Sequence, residues 1–242
     1  MTANIMFVLD DGISMFSDGA AYDEEGVVRR IHAKQIVRPD IDTVITTSAS
    51  GLSLSMLNHV IAVDGPVGFD QVVDAMPGWT VEVLASMDRI HGGRNYAMFL
   101  YAGWSEREQR WRGYLIATYD LPAYGVAAFE PAMLHSFAKP NASPEALEAA
   151  GLPRNLVQAN EPASILGAKL MLALRQTRQE MHGPGTASGY VVGGFIQHTH
   201  LQRGRADSRI IYRWPDEIGC AIDPSQDPIV EVGSSDQAEA AA

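Results

Sequence analysis

The sequence predicts an α+β fold built in layers. Three observations lead there. The chain opens on two short apolar runs joined by Asp-Gly, the strongest short-range hairpin signal. Strands and helices then follow in blocks, which favours layered α+β over a repeated β-α-β pattern. Finally, residues 162–181 carry apolar side chains at helical spacing.

In chain order, Asn4 to Leu9 is a strand, Asp10-Asp11-Gly12 turns, and Ile13 to Asp18 returns. Ala20 to Ile31 is polar and charged and reads as a loop at a sheet edge. Ala33 to Val37 is a short strand stopped by Arg38-Pro39, because the residue before a proline disfavours the α region. Thr43 to Thr47 is another strand. Leu52 to Val63 has Leu52, Met56, Leu57, Val60 and Ile61 at helical spacing, and Gly65-Pro66 ends it. Phe69 to Met76 is a second helix, interrupted by Pro77-Gly78, with a mixed apolar pattern resuming from Trp79 to Ile90. Asn95 to Trp104 and Trp111 to Tyr119 form a long hairpin about a charged turn, and Val126 to Phe129 adds a short strand. Pro140 to Glu161 is loop-like. It holds one short helix, Pro144 to Ala150, with Ser143 as N-cap. Pro162 to Met181 is the clearest helix, stopped by Gly183-Pro184-Gly185. Gly189 to Leu201 and Ser208 to Trp214 close the fold as strands.

At 242 residues and 46% hydrophobic content the chain can bury a sizeable core, and one domain over residues 1–220 is expected. Net charge is −11, and residues 221–242 hold five acidic side chains and no Lys or Arg. That stretch reads as a flexible acidic tail. The balance argues against a nucleic-acid partner. Cys220 is the only cysteine, so no intrachain disulfide can form. No apolar stretch approaches 18 residues and no signal peptide precedes the first strand. A cytoplasmic protein with no membrane partner is expected.

The first strand also carries candidate chemistry. Thr2 is small, so removal of Met1 is expected, leaving threonine at the chain start. Its hydroxyl is a nucleophile, and its own α-amine, with an unperturbed pKa of about 7.7–8.0, is the base. A neighbouring ammonium such as Lys34 would depress that pKa, and a carboxylate such as Asp18 would hold the lysine.

Thr2, Asp18 and Lys34, separated by 16 and 32 residues from the threonine, resemble the opening of the proteasome-type N-terminal-nucleophile (Ntn) hydrolases, including bacterial proteasome-like subunits. Val44 to Gly51, an apolar run breaking into small residues before a helix, is similar to the family segment that supplies the oxyanion N–H, with Ser48, Ala49 and Ser50 as candidates. Ser188-Gly189 matches part of the family motif after the long helix, which makes Ser188 a further catalytic candidate. Gly185 stands where that motif has an aspartate, a departure that bears on activity. The resemblance implies a four-layer α-β-β-α sandwich and a threonine-type peptidase or amidase. It also implies a peptide or amide substrate, a homo-oligomer of one or stacked rings, an ATP-dependent unfoldase partner, and no cofactor or metal. A non-catalytic assembly subunit of the same fold is the alternative. His198 and His200 share a strand face and could hold a metal if His182 or His135 supplied a third ligand.

Overall fold

A computed structural model describes residues 2–49, 51–92, 95–180 and 188–228. The elements are β1 Asn4–Val8, β2 Ile13–Asp18, β3 Ala20–Tyr22, β4 Val28–Ile31, β5 Gln35–Arg38, β6 Thr43–Ser48, α1 Ser53–Asp64, α2 Phe69–His91, β7 Met98–Ser105 and β8 Arg110–Ala117. After them come β9 Ala132–Leu134, β10 Ser136–Lys139, α3 Pro144–Ala149, α4 Ala163–Arg175, β11 Gln179–Glu180, β12 Ser188–Gly189, β13 Phe195–Gln202 and β14 Arg205–Arg213. The fold is α+β with antiparallel sheets. One five-stranded sheet has the order β10-β1-β2-β13-β14 and the other β5-β6-β7-β8-β9.

Period-two alternation assigns the faces. From β1 and β2, Met6, Ile13 and Met15 pack on Val44, Met98, Leu100 and Leu115 of the second sheet. The opposite faces of β1 and β2 give Ile5 and Phe16 to Leu147, Leu170, Met171 and Leu174 of α3 and α4. Phe99 and Tyr101 of β7 turn instead toward Leu57, Phe69, Met76 and Val83 of α1 and α2. Strands buried on both faces read as continuous apolar runs, which is why β1 and β7 do not alternate in sequence. Each such Leu, Ile or Phe contributes roughly 1.5–3 kcal/mol on full burial.

The hairpin at the start forms as expected, in the register Met6 opposite Met15, with the Leu9 N–H donating to Gly12 O at 2.9 Å. Ser143 caps α3 by accepting from the Ala146 N–H. Other expectations need correction. Residues 20–31 are not a loop: β3 and β4 pair as a ribbon. Helix α2 runs 23 residues straight through Pro77-Gly78. Its buried stripe of Val72, Met76, Trp79, Val83 and Met87 is continuous across the proline, and that burial outweighs the missing Pro77 N–H. Helix α4 stops at Arg175, not Met181, where the Thr177 hydroxyl donates to Ala173 O. The strand expected from Gly189 begins at Phe195, because Gly194 turns the chain with φ +76°. Val126 to Phe129 is no strand; Val126 makes an isolated bridge to Leu121 and Phe129 has φ +64°. Residues 221–228 are tied to the domain: Ala221 bridges to Val27, and Ile222 and Pro224 are buried. Residues 229–242 of the expected tail lie outside the described residues. Among the described residues no helix is long and apolar enough to cross a membrane.

Candidate active site

Thr2 immediately precedes β1 and is 5% exposed. Because β1 lies inside its sheet, between β10 and β2, the strand that follows the threonine is fixed by pairing on both sides from Asn4 onward. Asp18 ends β2 and is fully buried. Its carboxylate is met by four donors. Oδ1 accepts from the Ala3 N–H at 3.0 Å and from Lys34 Nζ at 2.9 Å. Oδ2 accepts from the Ala20 N–H at 3.2 Å and the Gly193 N–H at 3.3 Å. Lys34, just ahead of β5 and 5% exposed, also donates to Ala20 O at 2.5 Å. Burial pulls the Lys34 pKa below its ordinary value, and the Asp18 charge opposes that pull.

The residue after Asp18 has to be glycine. A Cβ on Gly19 would lie 2.7 Å from the Phe195 ring. The Gly19 and Ala20 N–H groups both donate to Gly193 O at 2.9 Å, which wraps the turn before β13 over the aspartate.

Thr2 and Lys34 line one pocket together with Ala20, Tyr22, His32, Thr47 and Ala49. The His32 pKa is lowered, first by burial and then by the Lys34 charge, which favours the neutral ring. The Tyr22 hydroxyl is pushed up by burial and by the Asp18 charge, which keeps it protonated. Thr46 Oγ1 lies 2.8 Å from Lys34 O and 2.9 Å from Asn4 Oδ1, joining β1, β6 and the backbone of the lysine.

Of the residues singled out in the sequence, Thr2, Asp18 and Lys34 come together. Ser48 joins them through its side chain: Ser48 Oγ accepts from the Thr2 N–H at 3.2 Å. Ala49 and Gly51 wall the pocket, and Ser50 and Gly185 lie outside the described residues. Ser188 is not brought to Thr2. It is exposed in β12, pairs with Glu180, and its carbonyl accepts from Arg178. The backbone donor that reaches Asp18 from this part of the chain is Gly193, five residues further on.

His198 and His200 do share a face of β13, but His198 Nε2 is 2.9 Å from Ser14 Oγ and its ring stacks on Phe16 at 4.3 Å. His182 lies outside the described residues, and among those residues no cluster of three metal-ligating side chains occurs. Sequence reasoning missed His32, although its place two residues before Lys34 puts both side chains on one face of an extended segment. It also missed Gly193, for which the Gly-Gly pair was the available signal.

No family model matches the chain, and no curated protein matches it. Solved structures do. An Anbu (Gly-1) mutant from Hyphomicrobium sp. strain MC1 superposes with a TM-score of 0.58 at 12% identity, over 88% of this chain and 87% of that one. Anbu (ancestral beta-subunit) from Yersinia bercovieri does so with a TM-score of 0.59 at 9% identity, over 87% of each chain. The membership in the proteasome-type Ntn hydrolase family that the spacing implied does not stand, since identities this low accompany a shared fold alone and no family model matches. What the chain shares with these Anbu proteins is their fold.

Proposed function

We propose that the chain hydrolyses amide bonds, as a peptidase or amidase, with Thr2 as nucleophile once Met1 has been removed. The observation that carries this reading is the pocket walled by both Thr2 and Lys34, with Asp18 buried beneath and bonded to Lys34 Nζ and the Ala3 N–H. Thr2 Oγ adds to the substrate carbonyl carbon, and its proton passes to the Thr2 α-amine directly or through a water. The amine then returns that proton to the departing amine as the C–N bond breaks, leaving an ester on Thr2 that water hydrolyses. Lys34, held as a cation by Asp18, depresses the α-amine pKa so that the amine is free to act as base. Ser48 Oγ faces the same nitrogen and orients it. A backbone N–H from the 48–50 segment would stabilise the oxyanion, a contribution of about 3–4 kcal/mol.

The three hydrophobic clusters support a four-layer α-β-β-α stacking in one domain. The homo-oligomer, in one or stacked rings, belongs to the same proposal. It is supported by the exposed Val63, Val67, Val81 and Ile90 on and beside α1 and α2, and light scattering tests it. An ATP-dependent unfoldase is the proposed feeder of such an assembly.

The test is intact mass with N-terminal sequencing, before and after a peptide epoxyketone. A chain beginning at Thr2 that gains one inhibitor mass, with no gain in Thr2→Ala, is expected. A chain that keeps Met1, or begins at Thr2 and never reacts, would overturn the proposal in favour of a non-catalytic assembly subunit.

A further inference from the structure

The end of α4 carries a polar construction larger than a helix stop needs. Arg175 is 1% exposed and uses all five of its N–H donors. Nη2 bonds Asp216 Oδ1 at 2.9 Å and Asp227 Oδ1 at 2.8 Å. Nη1 bonds Asp216 Oδ2 at 3.0 Å and Val192 O at 2.8 Å, and Nε bonds Asp227 Oδ2 at 3.0 Å. The Trp214 ring lies 5.2 Å from the guanidinium carbon.

Asp216 does one thing more. Its Oδ2 accepts from the Gly194 N–H at 2.7 Å. Gly193 and Gly194 form the turn whose other side reaches Asp18: the Gly193 N–H donates to Asp18 Oδ2, and Gly193 O accepts from Gly19 and Ala20. No side chain fits between the two carboxylates. A Cβ on Gly193 would lie 2.6 Å from Asp216 Oδ2 and 3.1 Å from Arg175 Nη1.

We propose that Asp216, held by Arg175, is a positioning residue for the Asp18–Lys34 pair: it fixes the Gly193–Gly194 turn that delivers a backbone N–H to Asp18. Losing that fixture withdraws a donor from Asp18, leaves more of its charge to Lys34 and admits water, and both effects favour the lysine cation. The titratable groups around Lys34 are Asp18 on β2, Tyr22 on β3, His32 just after β4, and the Thr2 α-amine once freed. The catalytic meaning of the fixture rests on the Thr2 reading above; the fixture itself does not.

Asp227 provides the internal control, since it contacts Arg175 but not the glycine turn. Asp216→Asn and Asp227→Asn are compared by urea unfolding and by side-chain NMR titration of isotope-labelled Lys34. Both variants should lose stability. Asp216→Asn should raise the Lys34 midpoint by about 0.5 pH unit or more, and Asp227→Asn by clearly less. Gly193→Ala, which forces the same joint open from the turn, should raise it too and serves if Asp216→Asn does not fold. A Lys34 midpoint equal to the native one in Asp216→Asn or in Gly193→Ala would overturn the proposal and leave the cluster a brace only. Epoxyketone labelling of the native chain separates the two ideas. A moved midpoint with an unreactive Thr2 sinks the hydrolase reading alone. A reactive Thr2 with an unmoved midpoint sinks the positioning role alone.

Discussion

Asp18→Asn tests the centre of the site most severely, because it preserves shape and removes only charge. Four donors converge on the two carboxylate oxygens: Ala3 N–H and Lys34 Nζ on one, Ala20 N–H and Gly193 N–H on the other. An amide offers one oxygen, so whichever way it flips, two donors face an NH₂ group. The pair is fully buried on the Asp18 side, so water cannot fill in. Breaking a buried ion pair from one side costs about 3–5 kcal/mol, and that is the expected loss in urea unfolding. At about 2–4 °C per kcal/mol for a chain of this size, the melting temperature should fall by roughly 6–20 °C. Lys34→Met should cost less, since three backbone donors still hold the carboxylate.

The pH dependence carries a sign. The Lys34 folded-state midpoint lies below its unfolded value, because burial outweighs Asp18. The unfolded chain therefore binds more protons between those two values, and stability rises with pH across that window. Without the Asp18 charge the folded midpoint drops further, so the window over which stability rises with pH should be wider in Asp18→Asn than in the native chain. A loss under about 1 kcal/mol, a Lys34→Met variant less stable than Asp18→Asn, or a flat pH response would each refute the reasoning.

Ser48→Ala should slow epoxyketone labelling of Thr2 by about three- to tenfold through loss of one hydrogen bond, with folding unchanged; labelling at the native rate would remove Ser48 from the site. The His198 pKa is lowered to about 4, mainly by burial and then by the Arg209 and His200 charges. Its stabilising contribution is thus present above the unfolded value of about 6.5 and lost as pH falls toward 4, amounting to about 3 kcal/mol. His198→Gln should flatten the acid limb of the stability profile over that range, as read by thermal melts at stepped pH. Pro77→Ala should raise stability by about 1–3 kcal/mol by restoring a helix hydrogen bond, and a decrease would show that α2 needs its proline.

How far the sequence could be read depended on the range of the interactions involved. The Asp-Gly hairpin, the Ser143 cap and the clustering of Thr2, Asp18 and Lys34 are set within a few dozen residues, and they were legible. The run of α2 through Pro77 was not, because the penalty is local whereas the compensating contacts to Phe99 and Tyr101 come from another element. The end of α4 was overrun because Arg175 looks like a surface residue until Asp216 and Asp227, 41 and 52 residues later, are seen to bury it. Likewise, nothing local marks Gly193 as a ligand of Asp18, 175 residues away. The side-chain role of Ser48 was hidden behind its more obvious backbone candidacy.

The edges of the first sheet have a consequence for solubility. Among the described residues, β14 is an outer strand of nine residues with no partner on its far side in the sheet, long enough to template another chain. Its exposed positions are Arg205, Ser208, Arg209 and Arg213, with Asp207 alongside. A strand docking there would have to desolvate several charges at once. At the opposite edge β10 has only four residues and runs into Pro140, which has no N–H to offer. Both margins therefore resist strand addition, one by charge and one by brevity. Neutralising Arg205, Arg209 and Arg213 together removes that charge barrier and should raise the tendency of β14 to pair with another chain.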